Sequence, residues 1–316
     1  MIISSCPLRI SLVGGSTDNP RFIEKYNTGA VISFPSNLRT YTVIHQDVFG
    51  ANSLDHNYVI NYSKQESVKN ICDIQNTLIR HCFKYLKVDK IHCTLTSDIY
   101  STGSGLAASS AYLLSLIKAI YELNNKSISE FEVCKIAEEI EKDFNPLVGQ
   151  QDFYGSIGGL KKISFYKNDD PSIKFLSTSI FNYMDIFLIY TGIVRNSTQI
   201  IETIDIDKSL ILLNDVIDLE ESIKSCNISK FNEVINRSWE NKKNTSNYIC
   251  ENKSLVELDK KIKEDDDILS HKLCGAGNGG YFLIFTNKNK EDEIYLKYKN
   301  VKKIEISESG IKLNKI

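Results

Sequence analysis

The segment Gly103-Ser104-Gly105-Leu106-Ala107-Ala108-Ser109-Ser110 sets a glycine turn directly before an apolar, helix-forming run. Such a turn exposes backbone N–H groups, and the helix that follows adds partial positive charge at its start. The combination suits a phosphate. Ser109 and Ser110 fall in the first turn or so of the helix, where a hydroxyl could reach a phosphate or a metal ion. The same residues also fit a tight turn with helix-capping serines. Asp152 stands between glycine turns and beside Gln150 and Gln151, away from any charged run. Its carboxylate could take a proton from a substrate hydroxyl or orient that hydroxyl for attack, or it could cap a helix.

Two better-known glycine signatures compete for these loops. Residues 103–108 match G-x-G-x-x-A after a strand, but a dinucleotide fold needs a second strand ending in an acidic residue some twenty positions on, and Ser127 to Glu132 read as a helix start instead. A second match, Gly275-Ala276-Gly277-Asn278-Gly279-Gly280, runs into a strand, not a helix. No G-x-x-x-x-G-K-[ST] occurs, which excludes the P-loop nucleotidases.

The elements that must position these groups can be read from periodicity and punctuation. Ile2 to Val13 reads as a strand ending at Gly14-Gly15, and Asp18-Asn19-Pro20 as a helix start. Thr40 to His45 alternates as a strand, and Ser67 to Lys87 has helical spacing of Val68, Ile71, Cys72, Ile79, Cys82 and Leu86. Ile91 to Leu95 reads as a strand, Leu106 to Leu123 as a helix, and Ser129 to Asp143 as a helix with a Ser/Glu capping pattern. Strands end at Phe165 and span Tyr183 to Tyr190; Val194 to Asp267 is mostly helical; Tyr281 to Phe285 is a strand; a helix and the strand Val301 to Ile306 close the chain. Strands and helices mix without strict alternation, so the expected class is α+β in two halves.

Composition bounds the function. At 316 residues the chain suits about two domains, with 42% hydrophobic and 25% charged residues as in ordinary globular proteins. The formal net charge of −2 argues against nucleic-acid binding through a bulk basic field. The eight cysteines show no C-x-x-C or zinc-ligand spacing, so free thiols in a reducing compartment are expected. The N-terminus lacks the features of a signal peptide, and Phe181 to Tyr190 is too short and too polar to span a bilayer, so a cytoplasmic, membrane-free protein is expected.

Three separated segments together resemble the motifs of the GHMP kinases (galacto-, homoserine, mevalonate and phosphomevalonate kinases). Cys6-Pro7-Leu8-Arg9 through Gly14-Gly15-Ser16-Thr17-Asp18 is similar to the first motif, Gly103 to Ala111 to the phosphate loop, and Lys272 to Gly280 to the third motif. They stand in the family's order and the resemblance runs over essentially the whole chain. Gly149-Gln150-Gln151-Asp152-Phe153-Tyr154, followed by Gly158-Gly159, resembles the heptose 7-phosphate kinase branch. Departures are Ala107 for a common loop glycine, Cys274 for a serine or threonine, Asn278 for a glycine and Phe153 for a polar residue.

The pattern of elements places a boundary near Asp169-Asp170-Pro171, giving domains of residues 1–169 and 170–316, and the resemblance implies a two-domain α+β GHMP kinase fold with a left-handed βαβ unit in the N-terminal domain and a ferredoxin-like C-terminal domain. It implies transfer of a phosphoryl group from ATP, with Mg2+, to the anomeric hydroxyl of a heptose 7-phosphate. Other acceptors such as galactose or fucose, or a catalytically silent nucleotide-binding relative, are the alternatives. On this resemblance Asp152 and Arg9 are catalytic, Arg9 holding Asp152 in its charged form and neutralising the transferring group. Gly103, Ser104, Gly105, Leu106, Ala107, Ala108, Ser109, Ser110, Gly275 and Gly277 bind the nucleotide. Ser109 and Glu141, eleven residues before Asp152, hold the metal. Gly14, Gly15, Ser16, Thr17 and Asp18 face the sugar, Asp18 being either the sugar's acid or the cap of the next helix. The sugar's phosphate needs a cation, for which Arg195 and Arg21 are candidates and Lys161 a weaker one. His271 and Trp239 read as structural.

Overall fold

The computed structural model describes residues 1–46, 56–101, 103–194 and 197–315. Its strands are β1 (Ile2–Val13), β2 (Thr28–His45), β3 (Tyr58–Asn61), β4 (Gln65–Val68), β5 (Ile91–Ser97), β6 (Lys161–Tyr166), β7 (Ser172–Phe175), β8 (Met184–Tyr190), β9 (Ile268–Leu273), β10 (Tyr281–Asn287), β11 (Val301–Ile304) and β12 (Lys312–Lys315). The helices are α1 (Pro20–Tyr26), α2 (Thr77–Leu86), α3 (Ala108–Leu123), α4 (Glu130–Lys142), α5 (Gln151–Tyr154), α6 (Ser197–Thr203), α7 (Ile211–Lys224), α8 (Ile228–Lys243), α9 (Lys253–Lys263) and α10 (Glu291–Lys297).

Two sheets organise them, and the chain is α+β as expected. The first follows the order β12-β1-β2-β5-β3-β4, and β6 pairs with the front half of β2 and carries β7. The long β2 therefore serves two partners on one edge, β6 over residues 28–33 and β5 over residues 40–45. Among the described residues β3 and β5 are the parallel pair, joined through β4 and α2. The second sheet, β11-β8-β10-β9, is antiparallel throughout. Two segments beyond residue 170, β7 and β12, add strands to the first sheet, so the end of the chain returns to the half in which it began.

The second sheet is buried on both faces. Ile186 and Leu188 of β8, with Leu283 and Phe285 of β10, join one apolar core with the first sheet, α3 and α8, whereas Phe187, Ile189, Phe282 and Ile284 pack on Trp239, Leu255 and Ile294. The shared core fastens the halves together.

Most expected elements form where local chemistry places them. Ser129 and Glu132 close a capping box on α4. Asn19 caps α1, with Pro20 at its first position. The helix expected over 67–87 forms only from Thr77 to Leu86. Of its expected first turns, Ser67 and Val68 end β4 and Ile71–Asp73 form a single 3-10 turn, and the Glu66 carboxylate accepts from the backbone N–H of Gln75 and Asn76, fixing the entry to α2. The helical spacing of Val68, Ile71 and Cys72 could not tell these arrangements apart, since a four-residue strand is too short to reveal its period. No helix among the described residues is long and apolar enough to cross a membrane.

Candidate active site

Elements of both halves enclose a cleft of about 470 Å³, walled by the 16–19 turn, the 103–109 loop, α5, α6, the end of α8 and Gly275-Ala276. At its centre the Arg9 guanidinium forms an ion pair with the Asp152 carboxylate. Arg9 is 3% exposed and Asp152 29%, so the cation is embedded while the acid faces the opening. The sequence aims Arg9 by local irregularity. The pairing of β1 with β2 shifts register between Pro7 and Arg9, and the Arg9 backbone N–H donates to Leu106 O at 3.2 Å instead of to the sheet. A bulge of this kind re-aims a side chain. The guanidinium also donates to Gly105 O at 3.4 Å, so one residue ties the sheet to the glycine loop.

The loop has the backbone that its glycines imply. Gly103 and Gly105 have φ of 63° and 80°, and Ala107, at the N-cap of α3, has φ 56°. The left-handed region is costly for alanine, by roughly 1–2 kcal/mol, which explains a common glycine there and locates the departure. Ala107 offers no capping side chain to the first turn of α3. Gly103, Ser104, Gly105, Ala107, Ala108 and Ser109 line the cleft; Leu106 is buried in the core and Ser110 points elsewhere.

The two serines divide. Ser109 is exposed at the cleft, whereas Ser110 is buried and donates to Glu141 Oε2 at 3.1 Å. Adjacent helical residues point about 100° apart, so they cannot share one direction. Glu141, on α4 behind the cleft wall, also accepts from Asn145 at 3.2 Å. Burial and the Asp152 charge push its carboxyl up to about 7.

Asp18 is not a helix cap, because Asn19 fills that role. It is buried at the cleft wall and accepts from Ser16 N at 3.2 Å, from Gln151 N at 3.2 Å and from Gln151 Nε2 at 2.8 Å. Burial, then the Asp152 charge, raises its carboxyl to about 6. A Cβ on Gly149 would overlap Asp18 Oδ2, so a glycine is required for the close approach. Of the neighbouring first-motif residues Ser16 reaches the cleft. Gly14 and Thr17 build the turn: the Thr17 hydroxyl donates toward Gly14 O and Ala30 O, and a side chain on Gly14 would strike the Ala30 carbonyl. Gly15 lies behind the wall, its missing side chain leaving room beside Gln151 and Lys242.

The third motif lies against the loop. A Cβ on Gly280 would overlap Ser104 O, and φ of 90° there already favours glycine. Gly275 lines the cleft; Gly277 packs on Ile249 outside it. Asn278 has φ 55°, a region that asparagine tolerates, and its side chain accepts from Asn252 N at 3.3 Å.

Three candidate phosphate cations fare differently. Arg21 is exposed and donates to the carbonyls of Glu202 and Ile204 at 3.1 and 3.3 Å, outside the cleft lining. Lys161 is fully buried on Gly155 O at 3.1 Å, and burial lowers its ammonium to about 7. Arg195 lies outside the described residues. Gln151 and Lys242 are polar cleft residues to which the sequence alone assigns no role. Gln151 is adjacent to Asp152, which could have flagged it. Lys242 sits among Glu240, Asn241 and Lys243 on a charged helix, and nothing in that run separates it from a solvated face. His271 and Trp239 are structural: both bond Asp259 Oδ1, at 2.9 and 2.8 Å. Burial alone would raise Asp259, but these partners and Lys243 hold it down to about 2.

A glycine loop opening a long helix, an Arg–Asp pair at its mouth and a two-sheet α+β frame make up the GHMP kinase fold. Residues 72–159 match the GHMP kinases N terminal domain. The chain is 27% identical over 313 residues to D-glycero-alpha-D-manno-heptose 7-phosphate kinase of Campylobacter jejuni, covering 92% of this chain and 91% of that one. In fold it is similar to a D-glycero-D-manno-heptose 1-phosphate kinase from Bacteriodes thetaiotaomicron, with TM-score 0.79, 20% identity and coverage of 100% and 99%. It is also similar to Lactococcus lactis galactokinase complexed with galactose, with TM-score 0.73, 14% identity and coverage of 100% and 95%.

Proposed function

We propose that this protein transfers the γ-phosphoryl group of ATP to the anomeric hydroxyl of D-glycero-D-manno-heptose 7-phosphate, giving the 1,7-bisphosphate for nucleotide-activated heptose synthesis. The observation that carries the reading is the buried Arg9 paired with a cleft-facing Asp152, one residue from the Gln151–Asp18 contact. The relative from Campylobacter jejuni supports the acceptor.

Asp152 takes the proton of the anomeric hydroxyl as its oxygen bonds to the γ-phosphorus and the bond to the leaving ADP oxygen breaks. Arg9 keeps that carboxylate aligned and offsets charge on the transferring group. The 103–109 backbone and the α3 N-terminus hold the nucleotide phosphates. Asp18, with Gln151, accepts from a sugar hydroxyl.

Glu141 and Ser109 face different ways, so the two do not close on one magnesium ion here. Glu141 is a buried carboxylate with neutral hydrogen-bond partners and a second carboxylate raising its proton affinity, and Ser109 presents a hydroxyl to the cleft. Glu141 alone suits the ion: Mg2+ takes hard oxygens and keeps several waters, so one carboxylate completed by waters and substrate phosphates would suffice. Bound there, it would neutralise charge on the nucleotide phosphates.

The test is a panel of heptose 7-phosphate, free heptose, galactose and fucose with ATP and Mg2+, with the phosphorylated position assigned by phosphorus–proton NMR. Fastest turnover of heptose 7-phosphate at carbon 1 is expected. Preference for a neutral sugar, or ATP binding without transfer to any sugar, would replace this reading.

A further inference from the structure

Among the described residues the cleft lining holds two basic side chains, Arg9 and Lys242. Arg9 is committed to Asp152 and Gly105. The nucleotide phosphates have the glycine loop and the α3 N-terminus as their electrostatic partner. An acceptor that itself carries a phosphate brings about two further negative charges into the cleft, and burying them without a cation is expensive.

Lys242 stands where that cation is needed. It comes from the last turn of α8, is 7% exposed, and its ammonium donates to Gly275 O at 2.7 Å. A Cβ on Gly15 would lie 3.4 Å from Lys242 Nζ and 3.6 Å from Gln151 Nε2, so both donors converge on the turn that presents Ser16 and Asp18. The end of α6 closes on the same region, since Arg21, two residues beyond Asn19, bonds the Ile204 carbonyl, and Asn19 and Ile204 both line the cleft. Lys242 thus belongs to the Asp18 side. A lysine ammonium is a compact charge that binds phosphate as a point cation.

We propose that Lys242 is a specificity-determining residue that binds the phosphate carried by the acceptor. This rests on the sugar-phosphate reading above and names the residue that separates a phosphorylated sugar from a neutral one.

The experiment compares wild type, Lys242→Met and Lys242→Arg by steady-state kinetics on heptose 7-phosphate and on free heptose. Calorimetric binding of heptose 7-phosphate without ATP is measured beside it. Loss of a charge-assisted contact is expected to raise KM for the sugar phosphate, and to weaken its binding, by about 10- to 100-fold in the Met variant. KM for ATP and for free heptose should stay within about twofold, and the Arg variant should recover part of the loss. If Lys242→Met is not folded, Lys242→Gln is read in the same way. Equal losses on both sugars would make Lys242 structural, and a fall in kcat with unchanged sugar-phosphate binding would place it on the transferring group; either overturns the proposal. If the wild type itself prefers neutral sugars, the function above and Lys242's role fall together. If it prefers heptose 7-phosphate while the Met variant binds it normally, only the role of Lys242 falls.

Discussion

Gln151 grips Asp18 twice, from its side chain to Oδ1 at 2.8 Å and from its backbone to Oδ2 at 3.2 Å. The next residue, Asp152, pairs with Arg9. One short helix thus holds two carboxylates close enough that the charge of Asp152 raises the proton affinity of Asp18. Asp18 can be held close only because Gly149 has no side chain.

Asp152→Asn keeps the shape of the side chain and removes its basicity. We expect kcat to fall by about 10²- to 10⁴-fold, the usual range for a general base. The thermal midpoint should stay within a few degrees of wild type, since Asp152 is partly exposed. Full turnover by a folded variant would remove the proton-accepting role.

Stability should carry the signature of Asp18. Its carboxyl rises from 3.8 unfolded to about 6 folded, so between these values the unfolded chain loses its proton while the folded one keeps it. Asp18's contribution to native stability therefore falls as pH rises through this window, by an amount on the order of 3 kcal/mol, and is constant above it. Asp18→Asn should remove this slope. Chemical denaturation of both proteins from pH 3.5 to 7.5 measures the difference; parallel curves would exclude the effect.

Gly280→Ala should harm the nucleotide side. The new methyl meets the Ser104 carbonyl, at a backbone angle that already disfavours alanine. A cost of about 2–4 kcal/mol in stability is expected, with weaker ATP binding. Calorimetry with an ATP analogue and a denaturation curve would report both; an unchanged protein would mean the two loops are not in contact.

Glu141→Gln tests the metal. The variant keeps a side-chain oxygen for Ser110 but loses the charge, so the Mg2+ concentration for half-maximal rate should rise about tenfold or more. An unchanged requirement would move the ion elsewhere. Chelation of all divalent cation should stop transfer by the wild type.

The sequence by itself determined what depends on neighbouring residues. A glycine turn before an apolar run makes the 103–109 loop and α3, Ser129 and Glu132 cap α4, and Asn19-Pro20 start α1. These follow from backbone angles and hydrogen bonds over three or four positions, and the order of the glycine motifs already resembled one family. Tertiary structure decided which side chains share a cleft. Arg9 meets Asp152 across 143 positions because β1 bulges toward the loop. The rotation of α3 in its packing sends Ser110 to Glu141 and Ser109 to the opening. The turn at Gly14 folds Thr17 inward, while Arg21 spends its donors on the end of α6. Lys242 becomes a cleft residue only because the shared core docks α8 against the first sheet. Direction in space is set by long-range packing, which a local pattern of residue types does not encode.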